Sequence, residues 1–170
     1  MSTCPMMECA FPGCTNMIPE HTLGSRCGSN HRAERVVLVA TAGHEQWRAD
    51  YKAANGDKPR IKKTKDPEFV SRGVTEVDIA SMTYSELPSD WQAENKAAAE
   101  CAVDCFLGAV AIGRALDDGF VEEASATQHE KWLERNGEWA PPEQKLPYAE
   151  LSEEEKEKDR FFVRQAILSA

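Results

Sequence analysis

The residues with the clearest capacity for chemistry lie at the front of the chain. Of six cysteines, four (Cys4, Cys9, Cys14 and Cys27) fall within the first 27 positions. Cys9 and Cys14, followed by Cys27 and His31, read C-x4-C-x12-C-x3-H. Thiolate sulfur and imidazole nitrogen are the donors zinc takes at four tetrahedral corners, and two short-spaced pairs on tight turns supply them. Pro12 and Gly13 before Cys14, and Gly28 after Cys27, are turn-forming residues of the required kind. A segment this short buries little apolar surface, so a bound ion would stand in for a core and contribute folding free energy directly. The pattern predicts a zinc-knuckle or ribbon module over residues 1–40, with structural Zn2+ held by Cys9, Cys14, Cys27 and His31, and with Cys4 or His21 as alternative ligands. Four protein ligands leave no coordination position for a reacting water, which argues against catalytic zinc. Cys101 and Cys105, one helical turn apart, could ligate metal with a matching pair elsewhere but read as small buried apolar side chains.

The rest of the chain must position these groups, and its charge is unevenly spread. Residues 1–75 carry 11 Lys and Arg against 8 Asp and Glu, whereas residues 76–170 carry 9 against 21. A basic front and an acidic back predict parts with different partners, and the acidic half repels nucleic acid and anionic membranes. No stretch approaches the roughly 20 apolar residues that span a bilayer. Residues 1–5 lack the charged-then-apolar order of a secretory signal. The expectation is a cytoplasmic protein with no membrane partner, in which clustered cysteines bind metal rather than form disulfides.

After His31, the run Val36 to Val39 reads as a short strand or as a helix continuing from the knuckle. Residues 44–54 suit a short helix with Trp47 and Tyr51 one turn apart, stopped by Asn55-Gly56. Lys58, Arg60, Lys62, Lys63 and Lys65, interrupted by Pro59 and closed by Pro67, read as an exposed basic linker. The same arm has the charge to contact the phosphates of a nucleic acid, although no aromatic side chain interleaves it for base stacking. Residues 41–81 are thus a basic connector with a short helix, plus a weak strand signal from the alternation Val74 to Ile79.

Residues 82–170 carry helix signals. Ser89 with Gln92 and Ser152 with Glu155 have capping-box spacing, ahead of runs to about Asp117 and Leu168. Gly119 is expected to end the first helix, and a further helix starts at Thr127 and stops at Gly137. Ala97, Cys101, Cys105, Ala109 and Ile112 recur at helical spacing as a small-sided packing face. Tyr84-Ser85-Glu86-Leu87 and Tyr148-Ala149-Glu150-Leu151 stand 64 residues apart, each before a helical run, which is a weak internal repeat.

The set His129-Glu130-x-Trp132, Trp139, Pro147-Tyr148-x-x-Leu151, Glu155-Lys156 and Asp159-Arg160 resembles the ryanodine-receptor repeat, or RyR domain, of the bacterial and phage type. The resemblance covers about residues 82–168, with the segment 137–146 shorter than the family pattern. It implies a mainly α fold of two pseudo-symmetric helical units and no enzymatic activity. It also implies a cleft for a nucleotide or nucleotide-derived signal, with Trp132, Trp139 and Tyr148 stacking on a base and His129, Lys156 and Arg160 meeting phosphate or polar groups. The residues alone equally allow the three aromatics to be core beneath the helices. The alternative function is an interaction protein that binds a host protein or nucleic acid through the zinc module and the basic arm. G-x-S-x-G, H-E-x-x-H and P-loop motifs are absent from the sequence.

Overall fold

The computed structural model describes residues 6–19 and 30–170. The fold is mainly α, as the sequence implies. Two short strands, β1 (Met6–Glu8) and β2 (Met17–Pro19), pair antiparallel at the front. A long helix, α1 (Arg32–Asn55), follows. The strand β3 (Ile61–Lys63), the short helix α2 (Pro67–Ser71) and the strand β4 (Glu76–Asp78) lead to α3 (Ser89–Ala111), α4 (Asp118–Asn136) and α5 (Glu153–Leu168). Among the described residues, no helix is long and apolar enough to cross a membrane.

The run from Val36 is helical rather than extended. Val36, Val39, Ala40, Gly43 and His44 form one buried stripe, while Val37 and Leu38 face outward. α1 therefore runs unbroken across residue 40, where the sequence suggested a module boundary, and ends at Gly56, whose φ of 64° suits a residue without Cβ. α1 packs on α3 and α5, and α4 closes against α3 and α5. Val39, Val103 and Val163, one from each of α1, α3 and α5, are fully buried in this core. Burial of such side chains is worth roughly 1.5–3 kcal/mol each.

Four expectations from the sequence need correction. First, the basic connector is not a free linker. β3 pairs antiparallel with β4, Lys62 opposite Val77, and Val77 and Ile79 enter the main core. The Trp91 indole N–H donates to the Lys63 carbonyl at 2.8 Å, and Asp90 accepts from Thr64 Oγ1 and the Lys65 amide, both at 2.8 Å. Lys58, Arg60, Lys63 and Lys65 nevertheless remain exposed.

Second, Ser89 and Gln92 do not form a capping box. Asp66 caps from a distance, accepting from the Ser89 amide at 2.8 Å and its hydroxyl at 2.6 Å while also capping α2. Those two Ser89 bonds hold the Asp66 carboxyl down to about 2. Third, Gly119 does not end α3. Gly113, with φ 67°, turns the chain just after Ala111, and Asp117 caps α4 by accepting from the Phe120 amide, so α4 begins nine residues before Thr127. Fourth, the buried face of α3 is Ala98, Ala99, Ala102, Val103, Phe106 and Ala109, with Ile112 79% exposed. Small apolar residues surround this helix, so their spacing alone does not choose a face. By contrast, Ser152 caps α5 and Gly137 follows α4, as expected.

The spacing of 64 residues marks a structural duplication. Tyr84–Glu86 and Tyr148–Glu150 each form a single 3-10 turn leading into α3 and α5. The preceding helices also correspond, with Val36 and Val39 of α1 matched by Val121 and Ala124 of α4, all buried. The helical part therefore packs α1 on α3 and α4 on α5 around a shared core.

Where α1 meets α5, Gly43 leaves room for Phe162. A Cβ built at Gly43 would lie 2.5 Å from Phe162 Cζ. Gly43→Ala should lower stability by about 1 kcal/mol, since overpacking of roughly 1–3 kcal/mol outweighs a helix-propensity gain of about 1 kcal/mol. Urea unfolding should find this loss largely relieved by Phe162→Leu in the same chain.

Candidate functional site

Two groups of side chains can do chemistry, and the front one is built on a knuckle. The Cys9 amide donates to the Asn16 carbonyl at 2.9 Å and the Cys14 amide to the Phe11 carbonyl at 3.0 Å, with Gly13 at φ 78° making the turn. His31 is the N-cap residue of α1 and has φ 54°, a left-handed conformation that costs a β-carbon-bearing residue energy. Its ring lies flat on Phe11, with centroids 4.2 Å apart and planes 6° apart. Cys9, Cys14 and His31 are all buried, and their ligand atoms lie within 4.8 Å of one another. The Cys9 Sγ to His31 Nε2 separation is 3.4 Å. Two ligands at tetrahedral corners with bonds of about 2.0–2.3 Å stand roughly 3.5 Å apart, so this spacing suits a shared ion. These three residues can hold a metal ion. The predicted fourth ligand, Cys27, and the alternatives Cys4 and His21 lie outside the described residues.

One arginine fastens the knuckle to the helices, and another ties the start of α1 to α3. Arg35 lies over the Phe11 and Phe106 rings, at 4.8 and 5.3 Å from their centroids, and donates to the Asn30 carbonyl and to Ser169. Arg32 makes a two-pronged pair with Asp104 at 2.7 and 2.9 Å.

The second group surrounds the buried histidine of each duplicated unit. In the α4–α5 unit, His129 Nε2 is 2.9 Å from the Leu146 carbonyl, so Nε2 carries the proton and donates. Its Nδ1 lies 3.5 Å from Asp159 Oδ2. Trp132 stacks on the imidazole at 6.1 Å, Tyr148 approaches at 6.5 Å, and Trp139, 68% exposed, meets Trp132 edge-on. The structure thus gathers His129, Trp132, Trp139 and Tyr148. The two expected cations beside them are already engaged. Arg160 binds Glu122 at 2.6 Å and Glu153 at 2.8 Å, and Lys156 binds Glu153 at 3.3 Å. The Tyr148 hydroxyl donates to Glu122 at 3.1 Å. The local cavity is only about 170 Å³, and Tyr148, Lys156 and Arg160 do not line it.

The α1–α3 unit repeats this arrangement through residues whose role was not read from the sequence. His44-Glu45-Gln46-Trp47 is a second copy of His129-Glu130-Lys131-Trp132, 85 residues earlier. That repeated H-E-x-W was the available signal. His44 Nε2 donates to the Met82 carbonyl at 2.9 Å, and Trp47 stacks on the imidazole at 5.6 Å. Met82 and Leu146 are themselves 64 residues apart, each two positions before its tyrosine turn. Burial pushes the His44 pKa below the ordinary value, which favours the neutral ring.

Beside His44 opens a cleft of about 830 Å³, walled by Trp47, Trp91, Phe161 and Phe162 and reached by His44 and Asn95. Gly43 stands where the second unit has Gln128, and the Phe162 ring packs against it, while Ala98, at the position paired with Phe162, lines the smaller space. Phe162 lines both spaces. Asn95 likewise stands where the second unit has Asp159. Comparison with protein-family models, with curated proteins and with solved structures finds no match.

Burial first, then the nearby Glu155 carboxylate, pushes Asp159 up to about 7. A carboxyl whose folded value lies above its unfolded value of about 4 stabilises the fold fully below pH 4, and that contribution is lost as pH rises through 7. Asp159→Asn, which installs the residue of the paired position, should therefore raise stability at pH 8 by about 1–3 kcal/mol and change it little at pH 4.5. Denaturant unfolding at the two pH values measures this.

Proposed function

We propose that this chain is a small-ligand-binding protein without catalytic chemistry, and that its ligand occupies the cleft beside His44. The observation that carries this reading is a space of about 830 Å³ with four aromatic walls and a few converging polar groups. Ligand sites commonly have this size and make-up, roughly 300–1,000 Å³ with mostly apolar walls. The duplicated units, each with H-E-x-W and a tyrosine turn, support an RyR-like assignment for the helical part. On this reading the indoles of Trp47 and Trp91 stack on the planar part of the ligand, a role first expected of Trp132 and Trp139.

The neutral fluorophore N-phenyl-1-naphthylamine tests the cleft. Its emission should rise to saturation at one molecule per chain, and Gln46→Trp, at an exposed rim position, should abolish that rise without changing the circular dichroism. Binding unchanged in Gln46→Trp would place the site elsewhere.

The metal proposed for the knuckle is structural zinc, with Cys27 completing the set of Cys9, Cys14 and His31. Two thiolates and an imidazole within 4.8 Å support that choice over oxygen-seeking cations. Elemental analysis of purified protein should find about one zinc per chain. Cys14→Ser should lose most of it and lower the melting temperature, and a folded wild type without metal would refute the assignment.

A further inference from the structure

Resting on the reading of the cleft as a ligand site, we propose that its ligand is an organic cation with an aromatic or alkyl body, such as an N-alkylated heterocycle or a quaternary ammonium. The walls and the rim agree on this class. Faces of electron-rich rings attract cations, indole most strongly, and weakly hydrated quaternary ions lose least on leaving water. Trp91 already accepts a cation from its own chain, since Lys62 Nζ lies 5.4 Å from the ring centroid.

The rim adds charge of the matching sign. Asp50, Glu94, Glu154 and Glu157 line the cleft. Glu94 is shared with Arg135 at 3.3 Å, and Glu157 with Arg160 and Arg164. Asp50 accepts only a neutral bond from Gln46 at 2.9 Å, and Glu154 makes no ion pair with a described residue. Among the described residues, the one lysine or arginine lining the cleft, Lys158, is paired with Glu155 at 2.6 Å. Burial disfavours a charge on His44, so it adds little opposing charge. A low-dielectric aromatic space with uncompensated carboxylates at its mouth draws cations in and opposes phosphates, so a phosphate-bearing ligand would meet like charge here.

Three tricyclic probes of nearly one shape separate charge from shape at pH 8. They are N-methylacridinium, neutral acridine and acridine-9-carboxylate, titrated calorimetrically into the full chain. The cation should bind at least tenfold more tightly than acridine, and the carboxylate more weakly still. Asp50→Asn combined with Glu154→Gln, both at exposed positions, should lower the cation's affinity about tenfold and leave that of acridine unchanged. Equal binding of all three probes would overturn the charge inference while the cleft remained a site. Binding by none of them would overturn the cleft reading as well.

Discussion

A buried imidazole that donates to a loop carbonyl, made twice, is the interaction on which the helical part of this molecule depends. His44 to Met82 and His129 to Leu146 each join a long helix to the segment just before a tyrosine turn. The imidazole needs the bond, because a buried N–H without an acceptor costs about 1–3 kcal/mol. Each bond therefore fixes where the following turn sits, and through it the angle at which α3 or α5 returns across its partner helix. The stacked tryptophan one turn along completes each joint.

The knuckle works by a different physical means. Among the described residues, β1, β2 and the loop between them offer Cys9, Phe11 and Cys14 as their buried cluster, too little to hold a fold by apolar burial alone. Metal ligation at Cys9, Cys14 and His31 would supply the missing free energy at the residue that starts α1. The left-handed backbone of His31 is tolerated because the ring is clamped against Phe11 and beside Cys9. A metal held there would be coupled to the start of the main helix through one side chain.

The two halves have the same plan but different interiors. Gln128 and Asp159 line the small space beside His129, Gly43 and Asn95 line the larger one beside His44, and Phe162 lines both. The first unit thus borders the larger space. The second carries a buried acid that resists ionisation, and its Lys156 and Arg160 are held in carboxylate pairs.

Much was legible in the residues because its cause is local. Helical class, the Ser152 cap, the stop at Gly137, the tyrosine-turn repeat and the Cys9–Cys14–His31 grouping all follow from backbone preferences and ligand chemistry over a few positions. What escaped depends on distant partners. Asp66 caps α3 from 23 residues away, Val77 and Ile79 turn a basic connector into a docked strand pair, and an alanine-rich helix shows its buried face only once α1 and α5 lie against it. The cleft belongs to this second kind. Its walls come from three helices far apart in the chain, so its volume, its aromatic lining and its acidic mouth exist only when tertiary packing brings Trp47, Trp91 and Phe162 together.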